Sequence, residues 1–116
     1  MKIERELMRG AGPVAVLTLL KNGPMYGYEL VSALSACSAG VLAMGQSTLY
    51  PLLYNLEAQR YVRPQWREAE SGRRRKYYAL TAKGEKRLAR EVRQWQAVAE
   101  AMTTIGVLPR PLPVGG

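Results

Sequence analysis

The sequence predicts a mainly α-helical chain carrying one small β-hairpin. Three observations predict it. Apolar residues recur at helical spacing in four separate segments. Two strand-like runs, joined by Glu70-Ser71-Gly72, follow the third of those segments. Glycine, proline and small polar residues punctuate the boundaries between them. With 116 residues the chain has the size of one domain. A domain that small buries a modest core, so any surplus helix has reason to pack on a partner.

Met1 to Gly10 is charged and mixed, a frayed start or a short helical lead-in. Pro13 suits the first turn of a helix, in which Val14, Val16, Leu17, Leu19 and Leu20 supply a strongly apolar surface until Asn22-Gly23-Pro24 stops it. A second helix is expected from Tyr26 to Ala36, with Leu30, Val31 and Leu34 inward. Cys37 to Gly45 is rich in small residues and reads as a turn, packed down by Val41, Leu42 and Met44. The third helix starts near Ser47, a good N-cap type, and ends around Arg60. Pro51 falls in its first turn or just beyond, where few backbone bonds are lost. Leu49, Leu52, Leu53 and Leu56 stand at i, i+3, i+4 and i+7 and form one buried face.

The strand runs are Tyr61 to Glu68 and Arg74 to Leu80, the first made an edge strand or an interrupted one by Pro64. Tyr78 and Leu80 alternate onto one face and should return to the core, with Trp66 on the facing strand. Thr81 caps a long fourth helix reaching about Met102. The order helix, helix, helix, hairpin, long helix is that of a winged helix-turn-helix with one extra helix. The expected organisation is a winged helix-turn-helix DNA-binding domain over residues 1–80 and a C-terminal dimerisation helix over 81–102. Residues 103–116, with three prolines and three glycines, form a tail without a core of its own.

Composition narrows the function. Lys plus Arg total 17 against 9 acidic residues, a net charge of +8. That balance favours a polyanionic partner, nucleic acid first and an anionic membrane second. Cys37 is the only cysteine and the chain has no histidine, which leaves neither an internal disulfide nor a transition-metal cluster. Cys37 reads as a buried or half-buried thiol in a reducing compartment, with a redox switch as the other reading. The apolar stretch from Pro13 to Leu20 is too short to span a bilayer, and with Glu4 and Glu6 before it, it makes a poor signal peptide. The expected compartment is the cytoplasm, with no membrane partner. No phosphate-cradling glycine loop and no paired carboxylates in a predicted cleft stand out, so neither an enzyme nor a cofactor is expected.

The third helix carries the functional reading. Its leucines bury one side, so the other presents Ser47, Pro51, Tyr54, Asn55 and Ala58, flanked by Gln46, Thr48 and Tyr50. These are hydroxyls and amides with few charges, groups that bond base edges and phosphates without heavy desolvation. An ordinary solvated face is the competing reading, but such faces usually carry Lys and Glu. In the hairpin, Arg73, Arg74, Arg75 and Lys76 stand in a row. Four neighbouring cations repel one another and do nothing for a fold. Beside a phosphate backbone they release counterions and gain affinity.

Three segments carry a family resemblance: Leu17 to Leu34 with Gly27-Tyr28-Glu29, Gln46 to Leu56 with Thr48-Leu49-Tyr50-Pro51, and Trp66 to Gly84 with Ser71-Gly72-Arg73-Arg74-Arg75-Lys76-Tyr77-Tyr78. Together they resemble the PadR family of bacterial and archaeal transcriptional regulators, over about residues 10–90. The resemblance implies a homodimer that represses transcription from a roughly palindromic operator in double-stranded DNA. In some members a small molecule, often aromatic, relieves the repression. By position, Ser47, Thr48, Tyr50 and Pro51 open the recognition helix and Arg73 to Lys76 form the wing. The chain departs from longer members in its short C-terminal part, like those that keep a single dimerisation helix, and its tail from Thr103 matches nothing in the pattern.

In the fourth helix Leu88, Val92, Trp95, Ala99 and Met102 are spaced 4, 3, 4, 3, a heptad seam too short to be stable alone. It should pack on a dimer mate and on the first helix; packing within its own domain is the alternative. Trp95 is the one bulky aromatic of that seam. It either fills the dimer core or, with its symmetry mate, flanks a planar ligand such as a small aromatic effector. Against the dimeric repressor stands a second class, a small-molecule-binding or protein-interaction winged-helix module with weak DNA binding.

Overall fold

The computed structural model describes residues 1–111. In chain order the elements are α1 (Arg5–Leu20), β1 (Met25–Tyr26), α2 (Gly27–Cys37), α3 (Gln46–Ala58), β2 (Val62–Glu68), β3 (Arg74–Leu80) and α4 (Ala82–Ile105). The strands form one antiparallel sheet in the order β1-β3-β2. Four helices with this small sheet make a winged helix. The fully buried side chains Val16, Leu17, Leu30, Leu49, Leu53, Val62 and Tyr78 come from α1, α2, α3, β2 and β3, so one core fixes the third helix and the hairpin relative to each other.

The first helix begins earlier than its proline suggests. Pro13 lies inside α1 rather than in its first turn. The apolar stripe extends back to Met8, which is buried with Gly12, Val16, Leu17 and Leu20. Burying that extra turn outweighs the one backbone donor the proline withholds. After α1, Met25 and Tyr26 pair with Tyr78 and Tyr77 of β3. A two-residue strand shows no alternation in a sequence and leaves no signal to read. The second helix then starts where the Tyr26 backbone N–H donates to Glu29 Oε1 at 3.1 Å, and its last residue, Cys37, is exposed rather than half-buried.

The third helix is capped by Gly45, not Ser47: the Gly45 carbonyl accepts from the Thr48 and Leu49 N–H groups at 3.1 and 3.0 Å. Ser47 is thereby the second helical residue and projects outward. Leu49, Leu53 and Leu56 are buried and Leu52 half-buried, as the leucine spacing predicts. At the far end Arg60 N–H bonds to Glu57 O and Tyr61 N–H to Leu56 O, each at 2.9 Å, with Arg60 at φ 65°. That is a Schellman stop with arginine in the left-handed position usually given to glycine.

In the hairpin Pro64 pairs with Tyr78, Trp66 with Lys76, and Glu68 with Arg74. The loop closes through Ala69 N–H to Arg73 O at 2.7 Å, with Gly72 at φ 83°. Tyr78 returns to the core as expected, but Trp66 does not: it is 56% exposed. Its register places it one pair nearer the tip than Tyr78 on the same face, beyond the edge of the core.

Thr81 caps α4, its Oγ1 accepting from Gly84 N–H at 3.0 Å and donating to Arg60 O at 2.7 Å. A Cβ on Gly84 would stand 2.0 Å from the Tyr61 carbonyl oxygen, which is why glycine stands there. The helix continues through Ile105 instead of ending at Met102, and closes on Gly106 at φ 95° with Val107 N–H bonded to Met102 O at 2.8 Å. The tail expected from Thr103 therefore starts later, and its residues 112–116 lie outside the described residues. Among the described residues no helix is long and apolar enough to cross a membrane.

Candidate nucleic-acid interface

On α3, Gln46, Ser47, Thr48, Pro51, Tyr54, Asn55 and Ala58 are all exposed. Ser47, Pro51, Tyr54 and Ala58 recur every three to four residues and run along the side opposite the buried leucines. This is the face the sequence nominated, with two changes of detail. Tyr50 is half-buried: its hydroxyl would lie 2.5 Å from a Cβ on Gly27, so the ring packs across the start of α2. The glycine of the Gly-Tyr-Glu motif is there to admit the tyrosine of the Thr-Leu-Tyr-Pro motif. Asn55 sits at the margin of the face, its Oδ1 accepting from Gln59 Nε2 at 2.8 Å. Its amide N–H groups remain available as donors.

The hairpin stands directly beside this helix. Lys76 Nζ lies 2.9 Å from Glu57 Oε1 of α3, 5.6 Å from the centre of the Tyr54 ring and 5.1 Å from that of Tyr78. The Glu57 carboxylate holds the Lys76 ammonium above the ordinary lysine range, against a smaller opposing effect of burial. Lys76 is thus a strut between the wing and α3. Of the four consecutive cations three lie on β3, and those three are not equivalent. Alternate residues face opposite sides, and one of those sides here looks at a glutamate.

Arg73, Arg74 and Arg75 are exposed. Arg74 lies over the exposed Trp66 ring at 5.4 Å and Arg75 over Tyr26 at 4.6 Å. Arg67, on β2 opposite Arg75, covers Tyr77 at 4.7 Å. Sequence reasoning misses Arg67 and Trp66 as site residues, because the cation run on β3 outshines its partner strand. The pairing register is the signal that finds them. Guanidinium groups are attracted to aromatic faces, and both faces of the wing present exposed arginines to solvent.

The remaining candidates lie on α4. Leu88 is buried in the core of its own domain, so it does not belong to the exposed seam with the others: the first turns of α4 rest on α1 and Tyr61. Val92, Trp95, Ala99 and Met102 are exposed, in the company of Val98 and Ile105. Trp95 Cζ2 would lie 3.9 Å from a Cβ on Gly10. With Ala11, Val14, Leu34 and Leu42 the Trp95 ring lines an almost wholly apolar groove of about 460 Å³ between α1, α2 and α4. Among the described residues no group of His, Cys, Asp and Glu side chains converges to hold a metal ion.

Comparison with known proteins bears on this arrangement. Residues 16–90 match the family model described as transcriptional regulator PadR-like family. The chain is similar in structure to a transcriptional regulator from Clostridium thermocellum, with a TM-score of 0.80 and 25% identity over 90% of this chain and 98% of the other. It is also similar to a Streptococcus transcriptional regulator, with a TM-score of 0.77 and 33% identity, covering 88% and 98% of the two chains. A PadR family transcriptional regulator from Eggerthella lenta gives a TM-score of 0.75 and 33% identity, covering 86% and 85%.

Proposed function

This chain belongs to the PadR-like family of transcriptional regulators, and on that premise we propose that it represses transcription as a homodimer bound to an inverted-repeat operator. The observation that carries the proposal is the joint placement of the α3 face and the wing. Lys76 locks β3 against Tyr54 and Glu57, so the wing that carries Arg73, Arg74 and Arg75 is fixed relative to the exposed face of α3. An α-helix fits the major groove and reads bases from its N-terminal residues, while a basic hairpin alongside it meets the sugar-phosphate backbone. Polar reading groups on the helix and cations on the wing are the division of labour that such a contact needs.

Dimerisation is supported by the apolar side of α4, where Val92, Trp95, Val98, Ala99, Met102 and Ile105 are only partly covered by their own domain. A small aromatic effector is supported by the apolar groove beside Trp95, since a planar ligand gains most from an aromatic face in a dry site. The cytoplasm is the compartment in which such a regulator meets DNA.

The test is a salt titration of the full chain on fragments of its host genome. The proposal expects affinity that persists at physiological ionic strength on particular fragments, with log K falling linearly with log salt. Loss of all binding at that ionic strength would favour a module that binds a small molecule or another protein instead.

A further inference from the structure

The wing flanks α3 on one side only. On the other flank lies a second set of cations. Residues 1–4 run along the turn between α2 and α3, held by the Ile3 N–H to Val41 O bond at 3.2 Å and by Ile3 packing against the core. Lys2, Arg5 and Arg9 follow on this segment and the first turns of α1, all three exposed. They line a groove of about 740 Å³ whose opposite wall includes Thr48, Pro51 and Asn55 of α3. At about 3.6 residues per turn, Thr48 and Asn55 fall on the flank of α3 opposite Tyr50 and Glu57, the side the wing covers. The ion pairs among the described residues are Lys76–Glu57 and Arg87–Glu91, so no carboxylate is paired with Lys2, Arg5 or Arg9.

We infer that Lys2, Arg5 and Arg9 form a second DNA-backbone clamp, which grips the phosphate strand on the edge of the major groove that the wing does not reach. The inference rests on the reading of α3 as the helix that enters that groove. The major groove is roughly 12 Å wide and has a phosphate strand along each edge. A helix lying in it needs cations on both flanks to be held in register, because phosphate contacts fix orientation while base contacts select sequence. The wing supplies one flank. Arg5 and Arg9, one helical turn apart, supply the other, and the backbone bond of Ile3 keeps Lys2 beside them. The sequence hides this site because Lys2, Arg5 and Arg9 alternate with Glu4 and Glu6 and read as an unremarkable mixed lead-in.

The experiment uses the full chain and an operator duplex obtained by binding-site selection. Phosphate-ethylation interference and the salt dependence of binding are measured for the wild type, for Arg5→Ala/Arg9→Ala, and for Arg73→Ala/Arg74→Ala as the wing control. The clamp predicts interference on both edges of each half-site major groove in the wild type. The Arg5/Arg9 variant should lose only the edge the wing control retains, and its log K against log salt slope should flatten by about 0.9 for each phosphate no longer neutralised. Arg5→Lys/Arg9→Lys should keep most of the slope, which separates the removal of charge from a disturbed α1. An unchanged slope and interference pattern in Arg5→Ala/Arg9→Ala, while the wing variant loses its edge, overturns the clamp and leaves the recognition helix intact. A wild type that binds no duplex overturns both.

Discussion

Lys76 and Tyr78 stand two residues apart on one face of β3, and together they couple the wing to the core. Burial raises the Tyr78 hydroxyl above the ordinary tyrosine range, and the Glu57 carboxylate raises Lys76 above the lysine range. In both cases the protonated form is favoured by the folded chain. Their contributions are therefore fully present below the unfolded-state values and vanish as pH climbs through the raised ones. Thermal melts from about pH 8 to about pH 11 should show a midpoint that falls at the alkaline end. Tyr78→Phe, with no proton to lose, should show a shallower fall; equal falls would mean that Tyr78 does not contribute. Asn55 belongs to the same scale. Its amide has the donor and acceptor pair suited to adenine, and the exposed bond from Gln59 must open for both to be used. Asn55→Ala should relax preference at one symmetric pair of operator positions by about 1–3 kcal/mol, the worth of a bidentate contact. A base preference identical to the wild type's would place sequence reading elsewhere on α3.

Among the elements, α3 and the hairpin were the most legible in the sequence, and the reasons are local. Four leucines at helical spacing fix which side of α3 is buried, and therefore which side is left for a ligand. The strand boundaries followed from the turn residues Glu70-Ser71-Gly72. What was not legible depended on tertiary partners. The start of α1 is set by burial of Met8, β1 by pairing with a strand about fifty residues later, and the fate of Trp66 by the distance of its register position from the core. The role of Lys76 needed Glu57 opposite it, and the arm of Lys2, Arg5 and Arg9 needed α3 alongside. The stop of α3 holds a prediction of its own. Arg60 takes the left-handed conformation, which costs an L-residue about 1–2 kcal/mol, and glycine gives back roughly half of the gain through unfolded-state entropy. Arg60→Gly should raise the urea midpoint by the equivalent of about 0.5–1 kcal/mol without changing the denaturant slope. A lowered midpoint would show that the arginine side chain compensates for its backbone.

At the scale of the whole molecule, the proposed dimer rests on α4. The core of each protomer closes around α1, α2, α3 and the sheet with the help of Leu88, and beyond Leu88 the apolar side of α4 is largely exposed. In the proposed dimer a two-fold partner packs on that side. Replacing Val92 and Trp95 together with glutamate should give a monomer that still folds, since neither residue is in the core. Light scattering that shows a dimer of this variant at micromolar concentration would move the interface elsewhere. Two-fold symmetry in the protein then demands two-fold symmetry in its target. The most direct measurement is a binding-site selection from a random duplex pool, carried out with the full chain at about 0.15 M salt, where non-specific attraction is screened. The account predicts enrichment of an inverted repeat with half-site centres about 34 Å apart, or a multiple of that distance. Recovery of an unselected pool, with no sequence enriched over the input, would contradict it.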